Sequence, residues 1–331
     1  MPNRRSDGVL GRGFPSGRTL GGDGELLHKI AGLPWELPYT FLGLDEEKSA
    51  LDFARSVILP VPYEATTSYG SGAASGPKAI IESSRYMELY DQELKSNPSA
   101  LGIHTLSGLE LTRESGKEAM DELHMAYEKI MKATGDRFLL MLGGEHSVSG
   151  PAILNQVNRH GRISVLQLDA HLDLRPEFDG SKYSHACVMS QVRESVDLVS
   201  VGIRGAAEDE VSLADAEENI TVIWADEMWE NDNWIHRVIE ALGDKVYITF
   251  DVDYLDPSFM PSTGTPEPGG GDWYRTLKLL RSVFREKNVV ACDVVELAPV
   301  PGAHAADFLA AKLVYKLIGY NLESKGLLVQ Q

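Results

Sequence analysis

The sequence predicts an α/β protein in which helices cover both faces of one parallel sheet, a three-layer α-β-α sandwich. Two observations carry this. Short apolar, β-branched runs recur along the chain, and they are continuous rather than alternating, as strands buried on both faces require. Segments with helical periodicity lie between them, and alternating strands and helices favour three layers.

The strand runs, in order, are SVILPVP (56–62), FLLML (138–142), ISVLQLD (163–169), LVSVG (198–202), ITVIW (220–224), VYITFD (246–251) and VVACDV (289–294). A helix is expected over 117–132, where Met120, Leu123, Tyr127, Ile130 and Met131 form one apolar stripe. Residues 305–320 read as a closing helix. The start of the chain is rich in Gly, Arg and Ser without periodicity, so residues 1–35 read as a flexible arm. No long Pro/Gly/Ser linker divides the remainder, and 36–331 is expected to be one domain.

With 331 residues, 43% of them apolar, a full core is available. The formal net charge of −18 repels the phosphates of nucleic acid and of anionic lipid, so neither is an expected partner. The acidic balance suits a cationic substrate, and it also serves plain solubility. Cys187 and Cys292 cannot build a disulfide framework. The N-terminus has basic residues but no apolar run behind them, and no long uncharged apolar window follows, so a cytoplasmic protein is expected.

Three strand ends carry the chemistry. FLLML ends in Gly143-Gly144-Glu145-His146, where two glycines allow a sharp turn and His146 projects. ISVLQL ends in Asp169-Ala170-His171-Leu172-Asp173, and an extended chain puts Asp169, His171 and Asp173 on one side. VYITF ends in Asp251-Val252-Asp253, followed by a loop too rich in Gly and Pro to be helix or strand. Clustered carboxylates repel and resist desolvation, and a cation is the simplest remedy. One such cluster could be turn or cap chemistry; three in succession, each ending a buried strand, are hard to explain that way. Four Asp and two His suit Mn²⁺, with Ni²⁺ or Co²⁺ as alternatives, whereas structural zinc favours cysteine pairs that are absent. Six ligands exceed one open catalytic metal and fit two metals about 3.5–4 Å apart, with an activated water between them.

These segments resemble the ureohydrolase family of arginases and agmatinases. The matching stretches are GGEHS (143–147), DAHLDLR (169–175), SHACVM (184–189), FDVDYLDPSFMPSTGTPEPGG (250–270) and DVVELAP (293–299), with PYEATTSYGSGAASGPKAI (62–80) upstream. The resemblance runs in order from about residue 55 to the end. It implies an arginase-like single parallel sheet of about eight strands, two Mn²⁺ ions, and a homotrimer or homohexamer. By position, one ion falls to His146, Asp169, Asp173 and Asp251, and the other to His171, Asp169, Asp251 and Asp253. His185 matches the catalytic histidine, and an imidazole there can pass a proton to the leaving amine. Glu296 matches the carboxylate that pairs with a substrate guanidinium, a bidentate fit. Thr265 lines the site in relatives. Glu145 stands where the family usually has Asp, and SHACVM departs from the common form toward an agmatinase-like branch. Cys187, two residues from His185, reads as a small packed residue.

The resemblance implies hydrolysis of a guanidino compound to urea and an amine, with Asp173 helping to stabilise the tetrahedral intermediate. The residues after His185 are mostly apolar and offer nothing to an amino-acid carboxylate, so agmatine is expected over arginine. Guanidinobutyrate, other guanidino acids and free guanidine are the alternatives. A zinc amide hydrolase of the deacetylase kind would need a tandem His-His pair, and none occurs. An inactive oligomeric scaffold would be expected to lose ligands, and all six stand.

Overall fold

The computed structural model describes residues 36–230 and 233–329. The expected arm, 1–35, lies outside the described residues. The strands are β1 (Ser56–Val61), β2 (Ile103–Thr105), β3 (Phe138–Gly143), β4 (Ile163–Leu168), β5 (Val196–Ile203), β6 (Ile220–Trp224), β7 (Lys245–Asp251) and β8 (Asn288–Val295). They form one eight-stranded sheet in the order β2-β1-β3-β8-β7-β4-β5-β6, with every neighbouring pair parallel. Each apolar run read from the sequence is a strand. β2 escapes that reading because a three-residue edge strand has no apolar run to announce it.

The longer helices are α1 (Gly76–Ser84), α2 (Gly116–Thr134), α3 (Ser149–His160), α4 (Glu208–Ala216), α5 (Asn233–Ala241), α6 (Trp273–Glu286) and α7 (His304–Ser324). Helices α1, α5, α6 and α7 cover one face, where Ile80, Trp234, Leu280 and Val314 pack with Ile58, Leu140, Leu166 and Ile248. Helices α2 and α3 cover the other, where Leu123, Tyr127 and Ile153 pack with Val57, Leu139, Val165 and Tyr247. Successive strand residues thus enter opposite cores, as the two-residue period dictates. Full burial contributes roughly 1.5–3 kcal/mol for each such side chain.

The closing helix α7 carries a polar anchor within its apolar face. Lys316 is 1% exposed, and its ammonium donates to Asp91 at 2.8 Å and Glu93 at 2.9 Å. Removing one partner of a buried ion pair strands the other charge, at about 3–5 kcal/mol. Lys316→Met is therefore expected to lower unfolding free energy by about that much in denaturant titration. Burial tends to raise the Glu93 carboxyl, but hydrogen bonds from Lys316 and Tyr320 outweigh it and hold it below its usual value of 4.5. A depressed acid stabilises the fold above its unfolded value and loses that contribution as pH falls through its folded one. The stability gap between wild type and Glu93→Gln is thus expected at neutral pH and to close below pH 4.5.

Four consecutive strands at the centre of the sheet, β3-β8-β7-β4, bring their carboxyl ends side by side. In open parallel sheets that edge is where ligands collect.

Candidate active site

All the sequence-predicted site residues converge on that edge. After β3 the chain turns at Gly144, where a Cβ would lie 2.0 Å from the Tyr63 carbonyl oxygen, so only glycine fits. The N–H groups of Gly144 and Glu145 donate to the carbonyls of Val61 and Tyr63. This pins the turn to the end of β1 and aims His146 across the ends of β4 and β7. Asp169, His171 and Asp173 follow β4, Asp251 closes β7 with Asp253 just beyond, and Glu296 follows β8. Asp173 and Glu296 have φ of 53° and 64°, left-handed conformations that non-glycine residues adopt at a cost.

His146 Nδ1 lies 3.0 Å from Asp169 Oδ2, 3.0 Å from Asp173 Oδ2 and 3.4 Å from Asp251 Oδ2. His171 Nδ1 lies 3.0 Å from Asp253 Oδ2 and 3.7 Å from Asp169 Oδ1. Two groups result, His146/Asp169/Asp251 and Asp169/His171/Asp253, each with its donor atoms within 4.8 Å of one another, and Asp169 belongs to both. Backbone amides order the carboxylates: His171 N–H donates to Asp169 at 2.7 Å, Ala170 N–H to Asp253 at 2.9 Å and Asp253 N–H to Asp251 at 2.9 Å.

The electrostatics call for positive charge. Burial pushes Asp251 well above the usual carboxylate range, and Asp253 and Asp169 add repulsion. Burial and Asp169 likewise raise Asp173. Burial opposes a charge on His171, but Asp253 and Asp169 outweigh it and push that imidazole up to about 12.

The donor geometry fits a metal ion better than a proton. His146 Nε2 lies 2.9 Å from Thr249 Oγ1, whose own proton goes to Asp293 Oδ1 at 2.6 Å. Thr249 therefore accepts from Nε2–H, and the His146 lone pair sits on Nδ1. That atom is buried with no hydrogen-bond partner while facing three carboxylate oxygens. The three aspartates do favour a charged His146, outweighing burial, yet none meets Nδ1 in hydrogen-bond geometry. A divalent cation between the lone pair and the oxygens resolves the conflict.

A cavity of about 310 Å³ opens over the cluster, lined also by Tyr69, Arg175, Phe178, His185, Glu267 and Glu296. Glu296 is buried; burial, then Glu145, raises its carboxyl well above the usual range. Its Oε1 accepts from His146 N–H at 2.6 Å, and no lysine or arginine pairs with it among the described residues. Thr265 Oγ1 is 3.5 Å from Asp253 Oδ2, at the limit of a hydrogen bond. Cys187 is wholly buried, and burial followed by Asp173 pushes its thiol up to about 11, which suits packing rather than reactivity.

Several supporting residues were not singled out from the sequence. Gln167 donates to Asp169 at 2.9 Å and is itself held by Ser200. Thr249 and Asp293 stand behind His146. Arg204 clamps the 267–268 loop to Asp253 through carbonyl oxygens. Gln167, Thr249 and Asp293 share one visible signal: a polar residue inside an apolar strand run, close to its carboxyl end.

The arginase-family model matches residues 54–319. An N(1)-aminopropylagmatine ureohydrolase of Synechocystis sp. is 41% identical over 87% of this chain and 95% of the relative. One of the same name from Thermus thermophilus is 39% identical over 83% and 92%. The solved proclavaminate amidino hydrolase of Streptomyces clavuligerus superposes with a TM-score of 0.78 at 29% identity, covering 88% of this chain and 98% of that one. With the matched span, the sheet and the cluster in agreement, the chain belongs to the arginase family and is one of its metal-dependent ureohydrolases.

Proposed function

We propose that the substrate is a cationic guanidino amine of the agmatine type, hydrolysed to urea and an amine, and that the aminopropyl-extended form is preferred to agmatine itself. The observation that carries this reading is Glu296, a buried carboxylate beside the cluster with no cationic partner among the described residues. A planar guanidinium would pair with it bidentately. His146, Asp169, Asp173 and Asp251 would hold one divalent ion and His171, Asp169, Asp251 and Asp253 the other. Mn²⁺ is proposed first and Ni²⁺ or Co²⁺ second; bound there, such ions acidify a water and supply the nucleophile. Glu296 orients the guanidinium carbon toward the carboxylate cluster, Asp173 supports the tetrahedral carbon, and Thr265 borders the substrate. His185 delivers a proton to the departing nitrogen as the C–N bond breaks.

The cavity favours a cationic tail. Its arginine, Arg175, is engaged: Nε lies 3.5 Å from Glu210, and the guanidinium stacks 5.1 Å from the centre of the Phe178 ring. Glu210 and Glu267 line the same cavity and supply negative charge around it. The names of relatives at 39–41% identity favour the extended substrate.

The test is urea release by Mn²⁺-loaded protein from N(1)-aminopropylagmatine, agmatine, arginine, guanidinobutyrate and guanidine. The two agmatine-type substrates are expected to lead in kcat/KM by roughly 10-fold or more, since an unpaired polar tail costs about 1–3 kcal/mol. A lead by arginine, guanidinobutyrate or guanidine would overturn the reading, and a lead by agmatine would overturn the preference for the extended form. The mass of the same preparation reads the proposed homotrimer or homohexamer.

A further inference from the structure

Glu145 is wholly buried beside His146, yet it belongs to neither group of the cluster. Its two oxygens accept four hydrogen bonds. Oε2 takes the N–H groups of Ala65 and Thr66, both at 2.7 Å. Oε1 takes the Thr66 hydroxyl at 2.9 Å and the Ser147 hydroxyl at 2.6 Å.

The consequence falls on His185. Thr66 has one hydroxyl proton, and Glu145 takes it. The Thr66 oxygen also accepts from the His185 backbone N–H at 3.0 Å and stands 3.2 Å from His185 Nδ1. With its proton already given, Thr66 can only accept from that nitrogen. Nδ1 therefore carries the ring proton, and in a neutral ring Nε2 is bare. Ser184 Oγ stands 3.3 Å from Nδ1, where it can accept a longer branch of the same N–H. Phe178 meets the ring edge-on, with centroids 5.9 Å apart. Nε2 bonds to no described protein group, and the ring lines the cavity.

We propose that Glu145 is a positioning residue: through Thr66 it locks His185 in the Nδ1–H tautomer, so that Nε2 is the proton-handling atom facing the substrate. This rests on the reading of His185 as donor to the leaving amine. In that role Nε2 takes a proton from the attacking water and returns it to the leaving nitrogen, so the ring ends as it began. A ring held in the opposite tautomer presents no acceptor to the water.

The isosteric Glu145→Gln variant reverses the relay. Its amide oxygen keeps the Ala65 and Thr66 N–H groups, so its NH₂ faces the Thr66 and Ser147 hydroxyls. Thr66 then accepts from the amide and turns its own proton to Nδ1. Long-range ¹⁵N NMR of the histidines, on the full chain carrying diamagnetic Zn²⁺, reads the tautomer directly. The wild type is expected to show a protonated Nδ1 and a bare Nε2 at His185, and Glu145→Gln the reverse. In the Mn²⁺-loaded enzyme kcat is expected to fall roughly 10²-fold with KM unchanged, as for loss of a general acid–base. Thr66→Val is expected to lower kcat similarly, while Thr66→Ser, which keeps the hydroxyl, recovers the wild-type tautomer and most of the rate. That pair reads the relay even if Glu145→Gln does not fold. A wild-type ring protonated on Nε2, or a Gln variant that loses rate with its tautomer unchanged, overturns the proposal. If the wild type holds Nδ1–H but releases urea from no guanidino amine, the positioning stands and the functional reading fails.

Discussion

Asp169→Asn is expected to empty or halve the metal site and to lower kcat by roughly 10³-fold or more, because the ions contribute several kcal/mol and each 1.36 kcal/mol is a decade. Asp169 is the carboxylate common to both donor groups. Its Oδ2 faces His146 at 3.0 Å and its Oδ1 faces His171 at 3.7 Å. Gln167 and the His171 N–H hold both oxygens in place. Asparagine keeps the shape and volume, so far-UV circular dichroism should not change. What it loses is the charge that both ions would share. Asp173→Asn provides the contrast, since Asp173 approaches only His146, at 3.0 Å, and should weaken one position alone. Elemental analysis and urea release on the same samples decide the matter. Two ions per chain in Asp169→Asn, with more than a tenth of the activity left, would overturn the proposed bridging role of Asp169.

What could be read in the sequence was what is local. Asp169, His171 and Asp173, and again Asp251 and Asp253, stand two residues apart at the ends of apolar runs, so the two-residue period of an extended chain already groups them. The strand order that joins β3, β8, β7 and β4 was not legible, since pairing between distant segments leaves no trace in periodicity. The supporting hydrogen bonds were hidden for the same reason. Thr66 is 79 residues from Glu145 and 119 from His185, and Thr249 is 44 from Asp293. Glu145 was visible only as a departure from the family's usual aspartate; its task emerges once the end of β1 lies against the turn after β3. Lys316 reads in sequence as one more helical lysine, and only packing of α7 against the 91–93 turn shows it buried.

Glu296→Gln separates substrate capture from metal binding. Glu296 sits in neither donor group, so metal content is expected to remain as in the wild type. The side chain is preset: its backbone N–H donates to Gly144 at 2.8 Å, φ is 64°, and Oε1 receives the His146 N–H at 2.6 Å. An amide oxygen can keep that last bond, but the guanidinium loses its counter-charge at a buried position. Truncating one partner of a buried charge pair costs about 2–5 kcal/mol, so kcat/KM should fall by roughly 30-fold to 5,000-fold. Because the pair would already form in the bound ground state, much of the loss should appear as a higher KM. Stability should move the other way. Glu296 is a carboxylate that burial and Glu145 both disfavour, so its neutral isostere is expected to raise the melting temperature of the metal-free protein. A variant that lost metal, or kept its KM, would place Glu296 among the groups that serve the ions, and the guanidinium would need another anchor. A variant that kept its ions, gained stability and lost its grip on substrate would show a residue held at a cost to the fold for the sake of binding.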